Sequence, residues 1–228
     1  MPIELTVTTK SNLYIGGVPQ TFEIGGVDMY TATDYDGKPY IPASSLKGAL
    51  REIVKDKDNY NEEIAELYKN YLCNKKDTFE ENIKGNDTKA KEDYEKRIKD
   101  EGKELHLSIF GIGSFNHSPK LIFTDLELSS CCADETKWFS IDMKNSIEED
   151  NENLRLKSNP RSYKTARKGL KFKGTIHLYR AGELGTTAAD MIEDYVIKCL
   201  EEFNAGVYRI GNSKSRGYGW IKVEARRK

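Results

Sequence analysis

The hydrophobic spacing of this chain changes period in a set order, and that order limits the folds open to it. Ile3-Glu4-Leu5-Thr6-Val7 alternates apolar and polar residues, the mark of a strand with one buried face. After Ile41-Pro42-Ala43, the residues Leu46, Ala49, Leu50, Ile53 and Val54 recur at helical spacing, and Ser44 or Ser45 is placed to cap the first turn. Residues 121–128 (LIFTDLEL) and 171–180 (KFKGTIHLYR) read as two more strands. Met191, Ile192, Tyr195, Val196, Cys199 and Leu200 make 187–203 an amphipathic helix, and 220–225 alternate as a last strand. With residues 56–104 set aside, the order is β-α-β-β-α-β. That is an α+β chain on the ferredoxin-like plan. The plan recurs in RNA-recognition domains, whose sheet or loops hold single-stranded RNA, although a fold alone assigns no function.

Charge is balanced but not mixed. The net charge is −1 with 32% charged residues, so the total says nothing about a polyanionic partner. Between Arg155 and Lys173 there are eight cations and no acid, whereas acids outnumber bases from Asp56 to Glu104. Separated charge of this kind is the pattern of a basic binding face. Residues 56–104 read as a solvent-exposed charged insertion with one helix at 62–72. Residues 130–170 read as a basic arm inserted in the core. Cys73, Cys131, Cys132 and Cys199 lack C-x-x-C spacing and stand far from His106, His117 and His177 in sequence, which argues against zinc. Neither a signal peptide nor a membrane span is read, so a cytoplasmic protein is expected.

Three candidate sites stand out. Lys47, Arg51 and Lys55 form a basic stripe at i, i+4 and i+8 beside a helix start, which suits a phosphate but equally a solvated surface. IGNSKSRGYGW, residues 210–220, offers glycines for close backbone approach, Lys214, Ser215 and Arg216 for phosphate, and Tyr218 for base stacking. It is equally a hairpin turn before the last strand. Its glycine spacing and the strand after it exclude a P-loop and a dinucleotide fingerprint. Asp28, in a glycine-rich stretch, is either a turn residue or a lone carboxylate for Mg²⁺, an ion that often uses only one or two carboxylates. Asp34 and Asp36 read as turn residues and Asp125 as a structural residue within a strand.

Pro39-Tyr40-Ile41-Pro42-Ala43-Ser44-Ser45-Leu46-Lys47-Gly48-Ala49-Leu50-Arg51 resembles the P-x-I-P-[GA]-S-S-L-K-G-x-x-R signature of the RAMP superfamily of CRISPR-associated proteins. Phe110-Gly111 followed by Leu121-Ile122-Phe123-Thr124-Asp125 resembles its F-G … L-x-F-x-D segment, and Ser215-Arg216-Gly217-Tyr218-Gly219 its C-terminal glycine-rich loop. Leu13-Tyr14-Ile15-Gly16-Gly17 … Ile24-Gly25-Gly26-Val27-Asp28 is similar to the L-H-I-G-G … G-x-x-D segment of the repeating backbone subunit of type III Csm complexes, with Tyr14 where the histidine is frequent. Asn145-Ser146-Ile147 … Asn159-Pro160-Arg161 looks like that subunit's arm.

The resemblance implies one RAMP domain over 1–228 that polymerises with copies of itself along a guide (CRISPR) RNA beside other type III effector subunits. Its arm would push between bases of the duplex formed with a complementary target RNA. Asp28 would carry cleavage of the target at regular intervals with Mg²⁺ or another divalent cation, through attack of a 2′-OH. Ser44, Ser45, Lys47, Arg51, Lys214, Ser215, Arg216 and Tyr218 would hold the guide, and Arg161, Lys164, Arg167 and Lys168 would line the path of the RNA along the arm. A non-catalytic scaffold or cap subunit of the same complex is the alternative, and a guide-processing endoribonuclease a third reading.

Overall fold

A computed structural model describes residues 2–17, 27–82, 95–96, 99, 102–113, 115–150 and 155–228. The chain is α+β. A main sheet has the order β3-β7-β1-β8, formed by β1 (Ile3–Thr9), β3 (Lys120–Phe123), β7 (Lys171–Tyr179) and β8 (Ile221–Arg227), and β4 (Glu127–Leu128) also pairs with β7. Every pairing within it is antiparallel. The N-terminal strand lies inside the sheet, so Ile3, Leu5 and Val7 meet Phe172 and Ile176 of β7 and Ile221 and Val223 of β8 on one buried face. Helices α1 (Ala43–Lys55) and α3 (Ala188–Glu201) bring Leu46, Leu50, Ile53, Val54, Ile192, Val196 and Leu200 to that core. Each such side chain stabilises the fold by about 1.5–3 kcal/mol through burial alone.

Helix α2 (Glu62–Asn82) occupies much of the charged 56–104 segment. Its Ile64, Tyr68 and Leu72 are buried in the same core, and the Tyr68 hydroxyl donates to the Pro119 carbonyl at 3.1 Å. The expectation of a solvent-exposed segment therefore fails over this helix. Glu62, Glu63, Glu66 and Lys69 are exposed while Ile64, Ala65, Tyr68, Tyr71 and Leu72 are buried, and bulk composition hides that amphipathic split.

Residues 121–128 do not form the single strand that their alternation suggests. The ladder stops at Phe123, and 124–126 cross to the start of α1, where Leu126 exchanges backbone hydrogen bonds with Ile41 at 2.9 and 3.0 Å. Gly174 makes room for this crossing, since a Cβ there would meet Leu126 and the Asp125 carbonyl at 3.0–3.1 Å. The crossing also corrects the helix cap. Neither Ser44 nor Ser45 caps α1: the N-cap position is Pro42, with no side-chain capping bond. The Asp125 carboxylate accepts from the Ala43 N–H instead, at 2.7 Å. Asp125→Ala is expected to cost about 1 kcal/mol in chemical denaturation, the usual worth of a lost cap, with Asp125→Asn retaining most of it.

The arm is a hairpin of β5 (Phe139–Asp150) and β6 (Arg155–Ala166), with β2 (Met29–Tyr30) added parallel to β6. Asn145 and Pro160 of the arm signature face each other across it. Ile24, Gly25 and Gly26 lie outside the described residues.

Candidate nucleic-acid interface

Asp28 stands immediately before β2, and the hairpin fixes it. Its Oδ2 accepts from the Ser162 N–H at 2.6 Å and from the Ser162 hydroxyl at 2.9 Å, while the Asp28 N–H donates to the same hydroxyl oxygen at 3.0 Å. The Ser162 backbone and hydroxyl bonds, helped by Arg161, hold the carboxyl below the usual range for aspartate. Asp28 is thus an ionised, solvent-facing carboxylate, and among the described residues its Oδ1 receives no hydrogen bond.

Opposed residues in a ladder share a face. Met143 lies opposite Ser162, and Ile141 opposite Lys164. The face that carries Asp28 therefore carries two exposed apolar side chains, Ile141 at 65% and Met143 at 77% exposure. Lys164 is on the same face with its ammonium 4.3 Å from the Phe139 ring centroid. A groove of ≈ 630 Å³ opens beside β2, lined by Tyr30, Asp34, Tyr40 and Lys164 among others.

The opposite face docks on the glycine-rich loop. Asp142 accepts from the Tyr218 hydroxyl at 2.7 Å, Asn12 at 3.1 Å, Thr165 at 3.1 Å and Ser140 at 3.1 Å. Burial works against its charge, yet these bonds outweigh it and leave the carboxyl below its usual range. Burial, then the bond to Asp142, pushes the Tyr218 phenol well above its usual value. Tyr163 packs edge-on to Tyr14, ring centroids 5.3 Å apart. Tyr218 therefore ties the loop to the base of the hairpin.

The loop itself is not a hairpin turn. It is a short 3₁₀ turn, Lys214–Arg216, between Ser213 and Gly217 in left-handed conformations. It is pinned by Asn212 N–H to the Tyr14 carbonyl at 2.8 Å and Gly219 N–H to the Asn12 carbonyl at 3.0 Å. Gly211 and Gly219 have φ of +81° and +77°, and a Cβ at either would run into the backbone carbonyl of Tyr14 or Ile210. These two glycines serve backbone packing. The surface of the loop is left to Ser215 and Arg216, both exposed, and to Lys214, which pairs with Glu52 of α1 at 2.6 Å.

That pair brings the loop beside the basic side of α1. There Lys47 is half-buried and donates to the Phe110 carbonyl at 3.0 Å, and burial, then Arg51 and Lys120, lowers its pKa. Ser44 and Arg51 are exposed and Ser45 is half-buried. A groove of ≈ 470 Å³ joins Ser44, Lys47, Gly111 and Lys120. Lys55, the last residue of α1, lies 3.9 Å from Glu104. Arg161, Arg167 and Lys168 are exposed at the hairpin and its base. Asp34 accepts from the Lys38 N–H at 2.8 Å and Asp36 pairs with the Lys38 ammonium at 2.9 Å, both as turn residues. Ser162, Asp142, Lys144 and Lys120 escaped the reading of the sequence, because only the pairing register and the crossing of segments give them neighbours.

The sequence profile of the RAMP superfamily matches residues 6–222. This chain belongs to the RAMP superfamily. Over 72 residues it is 35% identical to CRISPR system Cms endoribonuclease Csm3 of Methanocaldococcus jannaschii, a match covering 31% of this RAMP chain and 29% of that relative. A cryo-EM structure of the type III-B Cmr-beta bound to cognate target RNA aligns over 98% of this RAMP chain and 60% of the other, at 17% identity and a TM-score of 0.49. The matches thus span under a third of the curated relative and three fifths of the solved chain.

In this RAMP chain no three or more His, Cys, Asp or Glu side chains cluster as metal ligands among the described residues. One ionised carboxylate with a free oxygen still suits Mg²⁺, provided phosphate oxygens and water complete the shell. Among the described residues, no helix of this RAMP domain is long and apolar enough to cross a membrane.

Proposed function

We propose that this RAMP protein is a guide-RNA-binding backbone subunit of a type III CRISPR ribonucleoprotein, built on the ferredoxin-like plan, and that it cleaves guide-paired target RNA through Asp28. The sheet order β3-β7-β1-β8, with α1 following β1 and α3 following β7, supports the plan. The observation that carries the activity is the setting of Asp28: an ionised carboxylate fixed to the hairpin by Ser162, on the face that exposes Ile141 and Met143.

Each group then has a task. Ile141 and Met143 press on base faces and exclude water, so that the paired strand splays beside the hairpin. A splayed nucleotide brings its 2′-OH into line with its own phosphate, the geometry that this reaction needs. Asp28 holds a divalent cation, which when bound supplies charge stabilisation at the phosphate. Arg51 of α1, Arg216 of the loop and Arg161 of the hairpin, all exposed, bind RNA phosphates and read backbone shape, while base pairing with the guide reads sequence. Copies of this chain and other type III subunits would be its partners along the guide. That no three or more His, Cys, Asp or Glu side chains cluster as metal ligands among the described residues favours the scaffold alternative, in which the same surfaces bind without cutting.

Incubating the guide-loaded complex with complementary RNA, with and without Asp28→Asn, tests the activity. Binding has its own test. Arg51→Ala and Arg216→Ala are each expected to lower guide affinity and to reduce the slope of log K against log salt by roughly 1. Filter binding across a salt series reads this, and an unchanged slope in both variants places the RNA elsewhere.

A further inference from the structure

Lys144 is a cation of the arm that does not behave as an RNA ligand. Its Nζ is enclosed, and among the described residues no hydrogen-bond acceptor reaches it. It lies 3.6 Å from the centroid of the Tyr218 ring and 4.8 Å from that of Tyr163. Arg161 stands directly opposite it in the ladder, and Arg216 acts with burial against its charge, Asp142 alone helping. A buried ammonium in cationic company is costly unless something specific holds it. Here that is the negative faces of two aromatic rings, which attract a cation most when water is excluded.

The two rings belong to different parts of the molecule. Tyr218 is in the glycine-rich loop. Tyr163 is on β6, next to the serine that anchors Asp28. Asp142, two residues before Lys144 on the same face of β5, ties the same loop through the Tyr218 hydroxyl. A continuous set of contacts therefore runs from loop to Lys144 to Tyr163, and along the strand to Ser162 and Asp28.

We infer that Lys144 is a positioning residue: wedged between the Tyr218 and Tyr163 rings, it fastens the hairpin to the glycine-rich loop and so sets where Asp28 stands relative to RNA lying on that loop. Its consequence for cleavage rests on the function proposed above; the fastening itself does not. Charge matters more than bulk, because an apolar side chain would pack between the rings without the attraction that fixes its direction.

Amide hydrogen exchange of the full chain at neutral pH tests the fastening, comparing the native protein with Lys144→Met and Lys144→Arg. In Lys144→Met the amides at 140–145, 161–166 and 213–219 are expected to exchange roughly tenfold faster, as for local opening at the seam, while β1, β7 and α3 keep native protection. Lys144→Arg, which keeps a cation over the rings, is expected to restore most of the protection. In the guide-loaded complex, Lys144→Met is expected to slow single-turnover cutting about tenfold, with target affinity within about twofold and the salt slope unchanged. Unchanged exchange at the seam overturns the inference. Faster exchange throughout the core overturns it too, since Lys144 would then be merely structural. A salt slope lower by about 1 would make it a phosphate ligand instead. If the seam loosens as expected but neither the native complex nor Asp28→Asn cuts RNA, the cleavage reading has failed and the fastening stands.

Discussion

Asp28→Asn in the assembled, guide-loaded complex is expected to reduce cleavage of complementary RNA at least 10²-fold, while target binding stays within about twofold. The substitution keeps the size of the side chain and an oxygen for the Ser162 bonds, but removes the charge that a divalent cation needs. Losses of 10²–10³ or more are usual when a group that stabilises developing charge is removed. EDTA is expected to give the same loss in the native complex, and excess Mg²⁺ to restore cutting there but not in the variant. Ser162→Ala separates charge from placement. It removes both hydroxyl bonds, at 2.9 and 3.0 Å, and leaves the 2.6 Å backbone bond, so a several-fold loss in cutting with intact binding is expected. Gel analysis of end-labelled target reads all of these. Native-level cutting by Asp28→Asn would remove the catalytic role, and an uncut but bound target in the native complex would leave the scaffold alternative.

The largest stability effect is expected at Gly219. With φ at +77°, this residue closes the loop on the Ile210 carbonyl, and any Cβ collides with that backbone. A clash with backbone cannot be relieved by a rotamer change, so the loop must lift off Asn12 and Ile210. Two backbone bonds then fail: the 3.0 Å Gly219-to-Asn12 bond and the 3.0 Å Ile210-to-Gly219 bond. Gly219→Ala is expected to cost about 3 kcal/mol or more, and to lower Tm by roughly 6–12 °C for a chain of this size. Gly217 is the control. Its φ of +93° is also left-handed, but nothing lies within 4 Å of an added Cβ. Gly217→Ala is expected to cost only the conformational term, about 1–2 kcal/mol. Calorimetry of the two variants checks this, and equal melting temperatures would show that the clash is absorbed. Because Ser215 and Arg216 stand exposed in the same loop, guide affinity by filter binding is expected to fall with Gly219→Ala even where the protein remains folded.

The periodic segments of the sequence are the ones that became the expected elements. Alternation at Ile3-Glu4-Leu5-Thr6-Val7 reappears as β1, the 171–180 segment as β7, and the apolar stripe from Leu46 to Val54 as the buried face of α1. Periodicity is a local property, and solvent sorts it in the same way in any context. The basic run at 155–173 was legible for the same reason, as were the turn roles of Asp34 and Asp36. Local pattern failed where a distant segment intervened. Leu126 continues the alternation of its strand, yet it leaves the ladder to pair with Ile41. Ser44 and Ser45 are good capping residues, yet a carboxylate 82 positions away in sequence takes the cap. The RAMP signature residues were therefore legible through their resemblance to that family's motifs, whereas Ser162 behind Asp28, Lys144 behind Tyr218 and Gly174 beneath Leu126 were not. Residue types and their periods determined which elements form and where charge gathers. Which of those charges face solvent, and which are committed to partners far away in sequence, was decided only by the tertiary structure, because hydrogen bonds and ring contacts depend on distances in space that no spacing along the chain encodes.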